Sequence, residues 1–186
     1  MIDPAIQSLI SIASGLLFLI AGVHKLSNNS QFQQIVSEYK LLPATAVGFF
    51  AIGIGLFELF LGIGWLINRT TLVPLLSALV LSIYVIAISI NLYKGRNYID
   101  CGCSFATFAG NKDNSNQRLS LGLVLRNFAL IILMLMAVFP STERTLGLLD
   151  YFNISIALIS VFFIYLALNQ LLSNRNAIDS WRNISG

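Results

Sequence analysis

The chain has 186 residues, 56% of them hydrophobic and 10% charged, with 11 Lys and Arg against 8 Asp and Glu for a net charge of +3. A soluble domain carries about 25% charged residues, so these charges are too few to cover a soluble globule of this length. They are also spread without a basic run, which excludes a nucleic-acid-binding chain and a disordered one and leaves an integral membrane protein.

Crossing a bilayer core takes about 20 apolar helical residues. Residues 4–24, 43–67, 72–93, 119–139 and 151–172 each supply such a stretch. Backbone groups in hydrocarbon must bond internally, and the shorter alternating segments of a membrane barrel are absent, so these stretches are expected to be helices. The start, Met1-Ile2-Asp3-Pro4, has no basic region, so the first stretch reads as a retained helix and not as a cleaved signal.

Between the first and second stretches, Phe32, Ile35, Val36 and Tyr39 recur at helical spacing. Residues 30–42 therefore read as a short amphipathic helix at the membrane interface, with Ser30 and Gln33 as its capping box. The second and third stretches are joined by Asn68-Arg69-Thr70-Thr71 alone, which predicts an antiparallel hairpin. Small residues recur every seven positions at Ser8, Gly15 and Gly22, and again at Gly48, Gly55 and Gly62. Such stripes let helix backbones approach in lipid. The longest polar loop is 94–118. Beyond 172 the chain is polar, with Trp181 as an interfacial anchor.

The expected fold class is an all-α membrane protein. Four transmembrane helices form a bundle, joined by a fifth C-terminal transmembrane helix and the short interfacial helix. The bundle with its loop occupies 1–142, and the fifth helix with its tail 143–186.

The candidate chemistry is sparse. Cys101 and Cys103 are the only cysteines and flank Gly102 in the polar loop. Two sulfurs this close can form a small strained disulfide of the labile, redox-active kind. The alternatives are an inert pair, or two soft ligands for Cu(I). Glu58 sits on the second glycine stripe inside an apolar span, where a carboxyl is costly and a candidate for function or packing. Arg126 lies in the fourth span and cannot shed its proton. It either reaches the interface, pairs with Glu58 or shapes the redox site, with Asn127 beside it. His24 closes the first span on the cysteine side and is a candidate proton acceptor. Met134 and Met136 read as packing or lipid-facing residues.

Several of these motifs resemble the MauE-type membrane proteins of methylamine utilisation, within the broader DoxX-like group. The resemblance rests on Ala21-Gly22-Val23-His24-Lys25-Leu26, Tyr39-Lys40-Leu41-Leu42-Pro43 and Phe57-Glu58-Leu59-Phe60-Leu61-Gly62. It is strongest at Asp100-Cys101-Gly102-Cys103-Ser104-Phe105, followed by Leu123-Val124-Leu125-Arg126-Asn127. It implies a four-helix membrane bundle partnered with a thioredoxin-like protein. Such proteins are associated with disulfide formation in exported proteins, notably the small subunit of methylamine dehydrogenase. The bundle is also similar to vitamin K epoxide reductase and DsbB-type enzymes, which pass thiol electrons to a quinone. This chain departs from those enzymes in lacking a second cysteine pair.

The resemblance therefore implies a thiol–disulfide oxidoreductase acting through Cys101 and Cys103, with His24, Glu58 and Arg126 assisting. A quinone would be met by His24, Arg126 and Asn127. The alternatives are a non-enzymatic assembly or scaffold subunit and a Cu(I)-binding protein. Orientation is contested by the charges. Lys25, Lys40, Lys94, Arg96, Lys112, Arg118, Arg175 and Arg182 lie on the cysteine side against Arg69 and Arg144 opposite. That count favours a cytoplasmic cysteine loop. Disulfide chemistry favours the extracytoplasmic side, which is the expectation taken here for a multi-pass protein of the bacterial plasma membrane.

Overall fold

The computed structural model describes residues 2–40, 43–67, 70–94, 121–142 and 144–184, with the backbone alone at 121, 169 and 172–184. Six helices follow in order: α1 (Pro4–Ser27), α2 (Asn29–Glu38), α3 (Ala44–Ile67), α4 (Leu72–Tyr93), α5 (Leu121–Met136) and α6 (Leu148–Ile184). Four of them are long and apolar enough to cross a membrane: α1, α3, α4 and the Leu148–Leu168 part of α6.

Local chemistry sets several ends. Asp3 caps α1 by accepting the Ala5 amide at 2.8 Å, and Pro4 occupies the first turn, where its missing N–H costs nothing. At the other end Asn28 separates α1 from α2 and donates its backbone N–H to the His24 carbonyl at 3.0 Å. The expected Ser30–Gln33 capping box does not form. Helix α2 starts at Asn29, one residue earlier, and no side chain caps it, so Ser30 already lies inside the first turn.

The fourth expected span is also shorter than its apolar sequence. Among the described residues helix α5 has 16, a length of about 24 Å, and it stops at Met136, before the apolar stretch does. It ends because Ala137, Val138 and Phe139 donate to carbonyls three residues back, tightening the chain into turns before Pro140. The C-terminal tail, expected to be merely polar, continues the helix of the last span to Ile184.

Helices α1 and α3 form the most extensive contact and run antiparallel on their glycine stripes. A Cβ placed on Gly22 would lie 2.9 Å from the Gly55 carbonyl oxygen, and one on Gly62 would lie 2.7 Å from the Leu19 backbone nitrogen. Only glycine permits this approach. Gly48 belongs to the same stripe by spacing but faces the Gln33 amide of α2, with ordinary room for a side chain. Helix α4 follows α3 in antiparallel fashion, and Trp65 donates Nε1–H to Ser77 Oγ at 2.9 Å. Helix α5 packs on α4. Helix α6 lies against α1 outside the bundle, with 6% of its span buried. The apolar core joins α1, α3, α4 and α5 through Ile10, Phe18, Leu61, Trp65, Val80, Leu81 and Met134.

A buried charge cluster as candidate functional site

Glu58 lies three residues after Gly55, so the stripe that brings α3 against α1 also carries the carboxyl into the contact. Lys25 lies three residues after Gly22 on α1, the matching position. The two charges therefore meet beside the close approach of Gly22 to Gly55. Lys25 is 3% exposed and Glu58 1%. The ammonium donates to both Glu58 oxygens, each at 2.5 Å. Tyr84 of α4 donates its hydroxyl to Glu58 Oε1, also at 2.5 Å. Lys25 Nζ sits 5.0 Å from the Tyr84 ring centroid and 5.4 Å from that of Phe32 on α2, within cation–π range. One ion pair thus joins four helices, with its hydrogen-bonding capacity met by protein. Isolated charges cannot persist in such a place, but a paired and hydrogen-bonded set can.

The polar row continues along α4. Ser77, Tyr84 and Asn91 are spaced by seven residues and share an inward face. Asn91 is fully buried and donates Nδ2–H to the Ala87 carbonyl at 3.0 Å, while its Oδ1 has no partner among the described residues. Asn127 of α5 is 2% exposed, and its Nδ2 also lacks a partner there. Leu123, one turn before Asn127, packs against Ile88, one turn before Asn91. Both amides therefore stand near the end of the bundle that segment 95–120 connects.

The expected site residues separate into groups. Glu58 is in the buried cluster, but its partners are Lys25 and Tyr84 and not Arg126. The guanidinium of Arg126 instead stands 5.9 Å from the Tyr165 ring centroid of α6. His24 is half-buried on α1, next to Lys25 in sequence but on an adjoining face. Cys101 and Cys103 lie outside the described residues. Among the described residues no three of His, Cys, Asp and Glu come together as a metal site. Met134 is fully buried in the core and Met136 is exposed on the outer face of α5.

The sequence reading missed Lys25 and Tyr84. It ended the first span at His24, so Lys25 counted as a loop charge. The available signal was the shared offset of three residues from a stripe glycine.

The family model described as "Methylamine utilisation protein MauE" matches residues 3–140, which takes in α1 to α5. The chain belongs to the MauE family. Among relatives, a methylamine utilization protein MauE of Methylophilus methylotrophus is 31% identical over 129 residues, 69% of this chain and 65% of that protein. The Paracoccus denitrificans MauE is 29% identical over 136 residues, 73% of this chain and 69% of its own length. The chain thus spans about two thirds of the length of the MauE relatives it matches. No solved structure matches it. The matched region contains Lys25, Glu58 and Tyr84 together with the cysteine pair, whereas α6 lies beyond it.

Proposed function

We propose that this MauE-family membrane protein is a thiol–disulfide oxidoreductase serving methylamine utilisation. Its Cys101-Gly102-Cys103 pair would exchange with a thioredoxin-like partner and support disulfide formation in exported proteins such as methylamine dehydrogenase. The observation that carries this reading is where the cysteines are tethered. Their segment joins α4 and α5 in sequence, the helices that carry Asn91 and Asn127, whose buried Oδ1 and Nδ2 have no partner among the described residues.

In the exchange, one thiolate attacks a partner disulfide. A mixed disulfide forms and a partner thiolate leaves. The second cysteine then resolves the mixed disulfide, so Cys101 and Cys103 end as a disulfide and the partner ends reduced. The reverse sequence oxidises the partner. A quinone bound in the membrane would supply a two-electron, two-proton acceptor to renew the disulfide. The contribution of the chain's own described residues is a bundle held by the buried charge cluster, whose helices α4 and α5 the cysteine segment connects in sequence. The cysteine loop is assigned to the extracytoplasmic side, and labelling Cys101 and Cys103 with a membrane-impermeant thiol reagent on intact cells tests that assignment.

The double variant Cys101→Ser/Cys103→Ser is expected to accumulate normally while the partner's disulfide state no longer responds to it. Normal partner oxidation in that variant, measured by alkylation and gel shift, sinks the redox reading. The second reading is a scaffold subunit, favoured by the outward apolar face of α6. Under it, the serine variant keeps full function and loss of α6 removes it. Stoichiometric Cu(I) binding that disappears in the serine variant points instead to metal handling.

A further inference from the structure

At the end of the bundle away from the α4–α5 connection, a cavity of about 260 Å³ opens between the first turns of α1, the last turn of α3 and the start of α6. Its wall is close to half polar. Gln7, Ser8, Ser11 and Thr70 supply polar groups, and Leu66 and Leu146 add hydrocarbon. A cavity of about 150 Å³ already holds a benzene ring, so this one has room for a three-carbon polyol and the start of an attached chain.

The protein uses little of that polarity. Ser11 donates to the Trp65 carbonyl at 2.5 Å, and Gln7 Nε2 reaches the Ala137 carbonyl at 3.5 Å. Gln7 keeps a second N–H and its Oε1, and Ser11 keeps its capacity to accept. The hydroxyls of Ser8 and Thr70 have no partner among the described residues. Ser8 does not turn back onto the carbonyl four residues earlier, as Ser82, Ser155 and Ser160 do. Both donors and acceptors are left over, and hydroxyls answer both.

No charged side chain among the described residues lines the space. The described charges at this end of the bundle pair with one another, Arg144 lying 2.7 Å from Asp150 and 3.7 Å from Asp3. An ion would enter without a counter-charge, and that cost selects an uncharged occupant. The wall is built from the ends of membrane spans, with Trp65 closing α3 and Tyr151 opening α6. That places it in the interfacial layer of the bilayer, where Trp and Tyr are favoured. Leu66 and Ile67, at the rim, are exposed on α3, so the apolar side of the cavity opens toward the acyl chains.

We propose that this cavity binds the uncharged glycerol end of a lipid, the free hydroxyl of a diacylglycerol. Ser8 and Gln7 bond the hydroxyl, and the acyl chains leave past Leu66 and Ile67. The site is independent of the thiol chemistry.

The test is photolabelling of the purified full chain in phosphatidylcholine nanodiscs with a diacylglycerol that carries a diazirine near its glycerol end. Labelled peptides are expected around residues 7–12, 65–74 and 146–154. Unlabelled diacylglycerol should compete. Free glycerol, phosphatidic acid and a diacylglycerol acetylated on its hydroxyl should not. Ser8→Ala should weaken diacylglycerol binding about fivefold, the effect of one neutral hydrogen bond. Leu146→Trp, which fills the space from the α5–α6 link, should abolish labelling, with circular dichroism confirming the fold of both variants. No labelling, labels spread over the whole lipid-facing surface, or wild-type affinity in both variants overturns the proposal. So does equal competition by the acetylated lipid, which marks a groove for acyl chains. Competition by phosphatidic acid would make the occupant an anion, competition by free glycerol a soluble polyol, and either result overturns it too.

Discussion

Glu58 receives its hydrogen bonds from side chains on two other helices, so its neighbours cannot be removed singly without leaving a charge stranded. Breaking a buried pair by removing one partner costs about 3–5 kcal/mol, whereas replacing both with apolar groups is often neutral. Lys25→Met and Glu58→Leu alone are therefore expected to lower the melting temperature strongly in detergent, and the double variant to recover most of the loss. Tyr84→Phe removes one hydrogen bond to a charged group and should cost about 2 kcal/mol. Thermal unfolding followed by circular dichroism decides this, and near-neutral single variants would show that the pair is not what holds the four helices together. At this scale the sequence was half legible. Glu58 stood out because a carboxyl in a run of apolar residues is costly and has to be held by a partner, whether for packing or for function. Lys25 did not, because an ammonium near a helix end reads as interfacial until its burial is known.

The glycine stripes operate at the scale of the helix pair. Gly22 and Gly62 meet backbone, which cannot give way, whereas a Cβ at Gly53 would meet nothing within 4 Å. Gly22→Ala and Gly62→Ala should each destabilise by about 1–3 kcal/mol, as overpacking does. Gly53→Ala should be neutral or stabilising by up to about 1 kcal/mol, since alanine is the better helix former. Melting temperatures for the three variants give the comparison, and equal effects at all three positions would mean that the α1–α3 approach is looser than described. Seven-residue spacing made the Gly15–Gly62 and Gly22–Gly55 contacts readable beforehand. It misassigned Gly48 because periodicity records which face a residue occupies and not which neighbour covers that face. The shortness of α5 was hidden for a similar reason. Apolar composition continues to Phe139, but hydrogen bonding changes at Met136.

For the whole molecule, the bundle of α1 to α5 is the part matched by the family, and α6 is an addition resting on α1. With only 6% of its span buried, α6 adds little packing to the core. A chain ending at residue 147 is expected to keep the helicity of α1 to α5 and to lose less thermal stability than Glu58→Leu does. Collapse of the truncated chain would make α6 integral to the fold. The all-helical class and the presence of a last apolar helix followed from hydropathy. The apolar space between α6 and the bundle did not, because it depends on how the side chains of α1, α5 and α6 pack against one another.

The positions of Lys25 and Glu58 along the chain bear on how the protein enters its membrane. A charge at the centre of an isolated helix costs about 2.5–3.5 kcal/mol on insertion. Helix α1 is synthesised before α3, and Lys25 near its end can extend its ammonium to the surface while it waits. Glu58 stands near the middle of α3 and has no such route. By the time α3 leaves the ribosome, its counter-ion is already in the bilayer. The order of helices in the gene thus spares the acid a solitary passage through hydrocarbon.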